Sequence, residues 1–219
     1  MHKNDISHPN WFLNTYLWAT ELLYGPCAWA YDSIAWLVSF GNWSRWRLDV
    51  LEYINPGRVL EIGFGTGELL IEMVARGYEV VGLELSLNMH KVTDDKLQKE
   101  KIDIKRLRGR AEAIPIKSDT FDSVISTFPS NYILADVSLG EIKRVLNRDG
   151  RCLVVGLGVR FESRFKSWLS SLWIEKHPEY LIQEFMRRTE KMGLKAVCIH
   201  HQGDGYSLPV VILTMNYAD

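Results

Sequence analysis

Apolar positions change their spacing repeatedly after residue 57, and this alternation predicts strands and helices in turn. Strand-like segments lie at 58–63, 78–85, 102–108, 121–127 and 151–157, and the one at 58–63 is typical of a buried strand. Segments with helical spacing lie at 68–77, 86–100, 134–147 and 180–193. Ser86 precedes its segment as a candidate N-cap. Strands that alternate with helices predict an α/β fold, with a mostly parallel sheet and helices on both faces.

The last two strand-like segments, 194–201 and 206–215, have no helix between them. The linker QGDG joins them, and Asp204-Gly205 is a typical two-residue hairpin turn. A hairpin reverses the chain direction. The sequence therefore predicts that the sheet finishes with an antiparallel strand.

The N-terminal part of the chain follows a different pattern. Six of the eight tryptophans lie at or before Trp46, and Glu21 and Asp32 are the only formal charges between residues 6 and 44. Trp29, Trp36 and Trp43 recur every seven residues, which places them on one helical face. We expect two or three short helices with an aromatic stripe. No uninterrupted apolar run of about 20 residues is present, as a membrane span would require.

Overall composition excludes some function classes. The 219 residues carry a formal net charge of -1, so no basic surface indicates a nucleic-acid partner. Three widely spaced cysteines form no CxxC pair, which argues against a metal site or a disulfide framework. The first ten residues lack the apolar stretch of a signal peptide. We therefore expect a cytoplasmic protein that holds no metal.

The segment VLEIGFGTGELL, 59–70, carries the clearest chemical signal. Gly63, Gly65 and Gly67 form a G-x-G-x-G turn between a strand and a helix, which is typical of a nucleotide-type ligand site. A dinucleotide site would have a third glycine where this chain has Glu68. Glu61 and Glu68 would repel a diphosphate and attract a positively charged ligand. An NAD-type oxidoreductase is therefore the weaker alternative.

Together with two later segments, this turn resembles a known family. Glu84 lies 21 positions after Gly63, and Ala111-Glu112 precedes Pro115. The set resembles the class I S-adenosylmethionine-dependent methyltransferases, in the ubiquinone/menaquinone-methyltransferase-like (methyltransferase type 11) branch. The resemblance implies a Rossmann-like fold with seven strands, the last antiparallel. It also implies a methyltransferase domain at 50–219, with 1–49 as an aromatic-rich helical cap.

The resemblance assigns roles to individual residues. It implies that Glu61, Gly63, Phe64, Gly65 and Gly67 surround the methionine part of S-adenosyl-L-methionine, with Glu61 near the amine. It further implies contacts to the rest of this cofactor by Glu84 at the ribose, Leu85, Ala111 and Glu112 at the adenine, and Thr127 near the methyl group. Arg110 stands where the family has an aspartate, so the side-chain acceptor for the adenine amino group is missing.

Methyl transfer from a sulfonium is a direct displacement that needs positioning rather than a covalent triad. We assign no catalytic residue, since His200 and His201 fit a base or a solvated hairpin. Tyr31 and Asp32 fit a lid or simple packing. The sequence TFPS from Thr127 replaces the [ND]-P-P-[YFW] motif of base methylases, which argues against nucleic acid.

The acceptor is expected to be a small molecule or lipid-like and apolar. Aromatic residues of the N-terminus and of the amphipathic segment 159–176 suggest this, and the latter has basic residues beside its aromatic face. Such a segment packs on the sheet-flanking helices, forms a substrate lid, or makes peripheral contact with a membrane. No obligate protein partner is evident. A non-catalytic cofactor-binding or interaction module is the remaining alternative.

Overall fold

The computed structural model describes residues 22–163 and 178–215. Its strands are β1 (Arg58–Ile62), β2 (Glu79–Glu84), β3 (Lys105–Arg108), β4 (Phe121–Thr127), β5 (Leu146–Val155), β6 (Arg160–Phe161), β7 (Leu194–Gly203) and β8 (Tyr206–Met215). The helices are α1 (Tyr31–Val38), α2 (Trp43–Leu48), α3 (Glu68–Ala75), α4 (Leu87–Glu100), α5 (Asp136–Val145) and α6 (Pro178–Lys191). Short 3₁₀ turns lie at Ala28–Ala30, Asp49–Tyr53 and Asn131–Leu134.

One sheet runs through the described residues in the order β3-β2-β1-β4-β5-β8, and β7 pairs with β8. Strands β1 to β5 are parallel, whereas β8 is antiparallel to both β5 and β7. This confirms the Rossmann-like α/β class and the antiparallel last strand. The predicted hairpin is also confirmed, with Asp204 and Gly205 between its strands.

The sheet has eight strands rather than the predicted seven. The additional strand is β6, in which Arg160 and Phe161 pair with Ser207 and Tyr206 at the start of β8. Two residues carry no alternation that would reveal a strand in the sequence. Their pairing depends on where the hairpin folds back.

Two hydrophobic clusters cover the two faces of the sheet, and alternate residues of β1 enter them in turn. Val59 joins the cluster that contains α2 and α3, whereas Leu60 and Ile62 join the cluster that contains α5 and α6. This alternation follows from the two-residue period of a strand. Glu61 therefore lies on the α2 side of the sheet, among apolar neighbours.

The predicted single tryptophan face of the N-terminal region is wrong. Phe40 and Gly41 have φ values of 54° and 81°, so the chain turns sharply between α1 and α2. Trp29 and Trp36 are 78% and 60% exposed, whereas Trp43 packs against the core. Residues 1–21 of the expected cap lie outside the described residues.

The segment 159–176, proposed as an amphipathic helix, lies mainly outside the described residues. One boundary also differs from expectation. Helix α5 ends at Val145 and β5 begins at Leu146, because Leu146 already pairs with Phe121 of β4. Among the described helices, none has both the length and the hydropathy needed to cross a bilayer.

Candidate functional site

The glycine turn lies at the carboxyl end of β1. Gly63 donates its amide to the carbonyl of Leu83 at 2.7 Å, and Gly67 donates to the carbonyl of Phe64 at 2.9 Å. The three glycines have φ values of 75°, 54° and 76°, a backbone conformation that other residues rarely adopt. A Cβ at Gly65 would meet no atom within 4 Å. The turn therefore leaves open space beside Gly65 for a ligand.

A Cβ at either outer glycine would collide with a neighbour. At Gly63 it would lie 2.7 Å from the phenol oxygen of Tyr132, and at Gly67 it would lie 2.4 Å from Cγ2 of Thr93. Thr93 also donates its hydroxyl to the carbonyl of Gly65 at 3.1 Å. Tight packing against Tyr132 and Thr93 thus fixes the loop. The side of the turn at Gly65, called its front here, stays open.

Two buried glutamates flank the turn. Glu84 ends β2 and accepts the amide of Gly65 at 3.2 Å on one carboxylate oxygen and the amide of Ser86 at 2.7 Å on the other. Each oxygen keeps a lone pair for a ligand hydroxyl. Glu61 is 2% exposed, and its Oε2 has no hydrogen-bond partner in the described part of the chain. Burial raises the pKa of Glu61 to about 8; nearby Arg47 lowers it, and Glu84 raises it.

The expected adenine side is continuous with Glu84. Gly109 donates its amide to the Glu84 carbonyl at 3.2 Å, which brings Ala111 and Glu112 toward the same sheet edge. Ala111 is buried and Glu112 is partly exposed. Leu85 is 48% exposed, which leaves its apolar side chain available to a flat ring. Charge-assisted hydrogen bonds tie the following loop to α5, since Glu141 accepts the amide of Ile114 and Arg144 donates to the carbonyls of Ile114 and Ile116.

An aromatic wall stands at the carboxyl end of β4, where Thr127 is the last residue. Phe128 follows with a φ of 49°, and its ring lies 4.5 Å from Trp43 and 5.7 Å from Trp46 between centroids. A Cβ at Gly156 would lie 2.3 Å from the Phe128 ring. Close packing therefore holds Phe128 in a conformation that non-glycine residues rarely adopt.

Tyr132 connects β4 to the glycine turn. Its hydroxyl donates to the carbonyl of Ile62 at 3.2 Å and lies 2.8 Å from the hydroxyl of Ser126. Ser126 donates to the same carbonyl at 3.0 Å. Burial raises the pKa of Tyr132, so the phenol stays protonated and keeps this link at neutral pH.

The structure brings most of the predicted site residues to one edge of the sheet. Hydrogen bonds join Gly63, Gly65, Glu84 and the 109–112 loop, and Glu61 and Thr127 lie at the ends of adjacent strands. The side chain of Phe64 instead packs in the core beside His90, so only its backbone faces the turn. His201 contacts Asp49, Glu52 and Tyr53 rather than this site.

Sequence reasoning did not single out Arg47 or Tyr132 for this site. Arg47 is 6% exposed, forms an ion pair with Glu68, and lies over the ring of Trp43 at 5.3 Å. Its Nε has no hydrogen-bond partner among the described residues. The position of Arg47 directly after Trp46, just beyond the charge-poor segment, was the available signal, although nothing local indicated where its side chain points.

Comparison with known proteins identifies the family. A family model described as a methyltransferase domain matches residues 60–154, which include the glycine turn, Glu84 and Thr127. The demethylmenaquinone methyltransferase of Thermotoga maritima is 30% identical over 162 residues, covering 69% of this chain and 69% of the relative. This chain belongs to the class I S-adenosylmethionine-dependent methyltransferases, in their UbiE-like branch.

One further relative agrees with the family, and one solved structure agrees with the fold. The ubiquinone/menaquinone biosynthesis C-methyltransferase UbiE of Syntrophotalea carbinolica is 35% identical over 143 residues, covering 62% of this chain and 60% of the relative. Geranyl diphosphate C-methyltransferase of Streptomyces coelicolor shares the fold with a TM-score of 0.60 at 12% identity, covering 78% of each chain. The chain thus spans only about 60% of the length of the Syntrophotalea methyltransferase.

Proposed function

We propose that this chain transfers a methyl group from S-adenosyl-L-methionine to a small, apolar, quinone-type acceptor. The observation that carries the proposal is the glycine turn with an open front at Gly65 and a buried glutamate on each side. Two acids within reach of one ligand favour a cationic group and oppose a diphosphate. A sulfonium compound with an amino group fits this charge pattern, whereas a dinucleotide does not.

The residues present fit the cofactor. The unpartnered Oε2 of Glu61 matches an ammonium group, and Glu84 has free lone pairs for ribose hydroxyls. Leu85 and Ala111 offer apolar surface for adenine, with Glu112 beside them, and Thr127 lies at the end of the neighbouring strand β4. The backbone of Gly63, Phe64, Gly65 and Gly67 would surround the methionine part. When bound, S-adenosyl-L-methionine supplies a methyl group on an activated sulfonium.

The chain's own contribution is positioning in a dry pocket. With S-adenosyl-L-methionine bound, the residues of this site would hold the acceptor atom in line with the methyl group and exclude water, and any proton lost from the acceptor would pass to solvent. Holding two reactants in attack geometry contributes on the order of 7–11 kcal/mol. The wall of Trp43, Trp46 and Phe128 supports a planar apolar acceptor. The names of the relatives support a quinone-type ring methylated at carbon.

The N-terminal residues 22–49 support a role as a cap over this site. Ser86, next to Glu84, donates its hydroxyl to the carbonyl of Tyr24 at 2.7 Å, and Asp32 accepts the hydroxyl of Thr66 at 2.7 Å. We propose that the cap belongs functionally to the methyltransferase domain at 50–219. We also propose peripheral membrane contact through exposed apolar residues of this region, since a lipid-like acceptor resides in membranes.

Calorimetric titration tests the cofactor. We expect binding of S-adenosylmethionine and S-adenosylhomocysteine and no binding of NAD. Glu84→Ala should weaken binding at least tenfold, because two charge-assisted hydrogen bonds to ribose are lost. Glu79→Ala, at the exposed opposite end of β2, is the matched control and should bind normally. Binding of NAD without the sulfur compounds would reject the proposal.

Turnover tests the reaction itself. Purified protein with S-adenosylmethionine should methylate a short-chain demethylated menaquinol, and mass spectrometry should place the methyl group on a ring carbon. Phenols, amines and phospholipids in the same assay define the acceptor class. Cofactor binding without methylation of any member of the panel would favour a non-catalytic binding module.

A further inference from the structure

Two charged side chains beside the glycine turn each bury a polar atom without a partner. Glu61 and Arg47 are 2% and 6% exposed. Glu61 Oε2 is an acceptor and Arg47 Nε is a donor, and neither makes a hydrogen bond within residues 22–163 and 178–215. A buried polar group without a partner destabilises the protein by about 1–3 kcal/mol, and more if it is charged. Such atoms indicate a ligand that completes them.

The two side chains belong to one site. Glu61 lies on the face of β1 that α2 covers, and Arg47 is part of α2. Arg47 binds Glu68, the residue directly after Gly67, and Glu61 lies two positions before Gly63, so both side chains adjoin the glycine turn. Glu61 and Arg47 nevertheless form no ion pair with each other in the described part of the chain, where Arg47 pairs with Glu68 instead.

Arg47 is held in place by other contacts. Its Nη2 binds the carboxylate of Glu68 at the start of α3, and its guanidinium lies over Trp43. These contacts fix the plane of the guanidinium and leave the Nε–H available. A planar guanidinium with a free N–H is suited to a carboxylate. Arg47 is therefore oriented before any ligand arrives.

The missing partners define the chemistry of the ligand. Arg47 requires an acceptor, best an anion. Burial raises the pKa of Glu61 and so keeps a proton on it at neutral pH, and a bound cation favours the carboxylate form, which accepts a hydrogen bond from that cation. An α-amino acid carries an ammonium and a carboxylate on the same carbon, so one small group satisfies both side chains. We propose that Arg47 binds the α-carboxylate and Glu61 the α-ammonium of the amino-acid end of the cofactor. This inference rests on the proposed function and assigns a cofactor contact to a residue outside the matched domain 60–154.

The test compares ligands that differ only at the amino-acid end. Calorimetric titration uses S-adenosylhomocysteine, its decarboxylated analogue, and methylthioadenosine, which lacks the whole amino acid. Arg47→Met should weaken the binding of S-adenosylhomocysteine about 10- to 100-fold, because a charge-assisted hydrogen bond to its carboxylate is lost. It should leave the decarboxylated analogue and methylthioadenosine within about twofold. Glu61→Gln should weaken the binding of both ligands that carry the amine and leave the binding of methylthioadenosine unchanged.

The ratio of affinities for S-adenosylhomocysteine and methylthioadenosine within one variant is independent of the folded fraction, so partial unfolding does not obscure the result. Arg45→Met, an exposed residue on the same helix, is the matched control and should leave the ratio unchanged. Equal loss of all three ligands in Arg47→Met would mean a purely structural role and overturn the inference. Failure of the wild type to bind any of them would instead reject the proposed function.

Discussion

Glu61 shows how one residue links the stability of this fold to its ligand. Burial on β1 raises its pKa from 4.5 to about 8, so the folded protein holds a proton that the unfolded chain releases. Between about pH 4.5 and 8 the unfolded state therefore binds fewer protons than the folded state. The free energy of unfolding must fall as pH rises through this window.

We predict that Glu61→Gln flattens this dependence. The wild type should lose up to about 1.4 kcal/mol per pH unit relative to the variant, because one proton separates the two states. Urea unfolding of both proteins at several values between pH 5.5 and 7.5 measures the difference. Glu79 is exposed on β2, and the free energy of unfolding of Glu79→Gln should depend on pH as that of the wild type does. Parallel curves for Glu61→Gln and the wild type would show that Glu61 does not titrate in this window.

Gly67 is the glycine whose replacement should damage the fold most clearly. It caps α3 at a φ of 76°, and a Cβ would lie 2.4 Å from Cγ2 of the fully buried Thr93. A left-handed backbone costs about 1–2 kcal/mol and overpacking about 1–3 kcal/mol, so Gly67→Ala should lower the free energy of unfolding by about 2–5 kcal/mol.

A comparison of positions separates the two causes. Gly77 has a similar φ of 85°, but a Cβ added there would meet no atom within 4 Å. Gly77→Ala should therefore lower the free energy of unfolding by only about 1–2 kcal/mol. Thr93→Ser removes the crowded methyl group and keeps the hydroxyl, and should recover part of the loss in Gly67→Ala. Equal effects at both glycines, measured by thermal unfolding, would mean that packing against Thr93 is unimportant.

At the scale of elements, a small polar network fastens α1 to the glycine turn. Asp32 of α1 accepts the hydroxyl of Thr66 on one carboxylate oxygen and forms an ion pair with Lys96 of α4 at 2.6 Å on the other. Lys96 also lies 3.2 Å from the carboxylate of Glu68. These groups are partly buried, so screening by salt weakens them less than an exposed pair. Since Thr66 lies within the turn, movement of α1 is coupled to the site.

We predict that Asp32→Ala loosens the cap without unfolding the sheet. Hydrogen exchange of residues 22–38 should rise, and S-adenosylhomocysteine should dissociate about tenfold faster in stopped-flow measurements. Asp94→Ala serves as the control. Asp94 lies on α4, as Lys96 does, and the change removes its 2.6 Å ion pair with Arg106 of β3, away from the turn. An unchanged rate of S-adenosylhomocysteine dissociation in Asp32→Ala, or an equal increase of this rate in both variants, would show that the contacts of Asp32 do not hold the cap over the ligand.

Strands β1, β2 and β4 could be predicted because each is rich in buried apolar residues and is followed by a helix. The glycine turn and Glu84 were found for a related reason, since the carboxyl ends of parallel strands meet at one edge. Ser86 was recognised as an N-cap, and it accepts the amide of Met89 at 3.3 Å. Such signals are local, and tertiary contacts reinforce them.

Features that depend on tertiary contacts were missed. Leu146 continues a helical pattern, yet it pairs with Phe121 as strand because the neighbouring β4 offers unpaired backbone groups. The seven-residue spacing of tryptophans implied one face, but the turn at Gly41 sends Trp36 and Trp43 to different environments. Arg47 shows the same limit, since its role depends on α2 folding back over β1.

At the scale of the whole molecule, residues 22–49, the described part of the proposed cap, also expose apolar side chains. Trp29, Trp36 and Leu37 are among its exposed side chains, while Trp43 and Trp46 of the adjoining α2 form the wall beside β4. One short region thus connects solvent to the proposed acceptor pocket. A lipid-like acceptor that leaves a bilayer at this surface would reach the pocket with little exposure to water.

We predict that this surface binds membranes through apolar contact. Asp32 is the only formal charge on α1, so attraction to anionic lipid contributes little there and binding should persist at high salt. Leu37→Glu should reduce recovery with floating liposomes about tenfold or more, because an apolar side chain worth about 1.5–3 kcal/mol is replaced by a charge. Val137→Glu, also exposed but on α5, is the matched control and should float like the wild type. Recovery that disappears at high salt, or that Leu37→Glu leaves intact, would assign membrane contact to charged residues elsewhere and separate the cap from acceptor delivery.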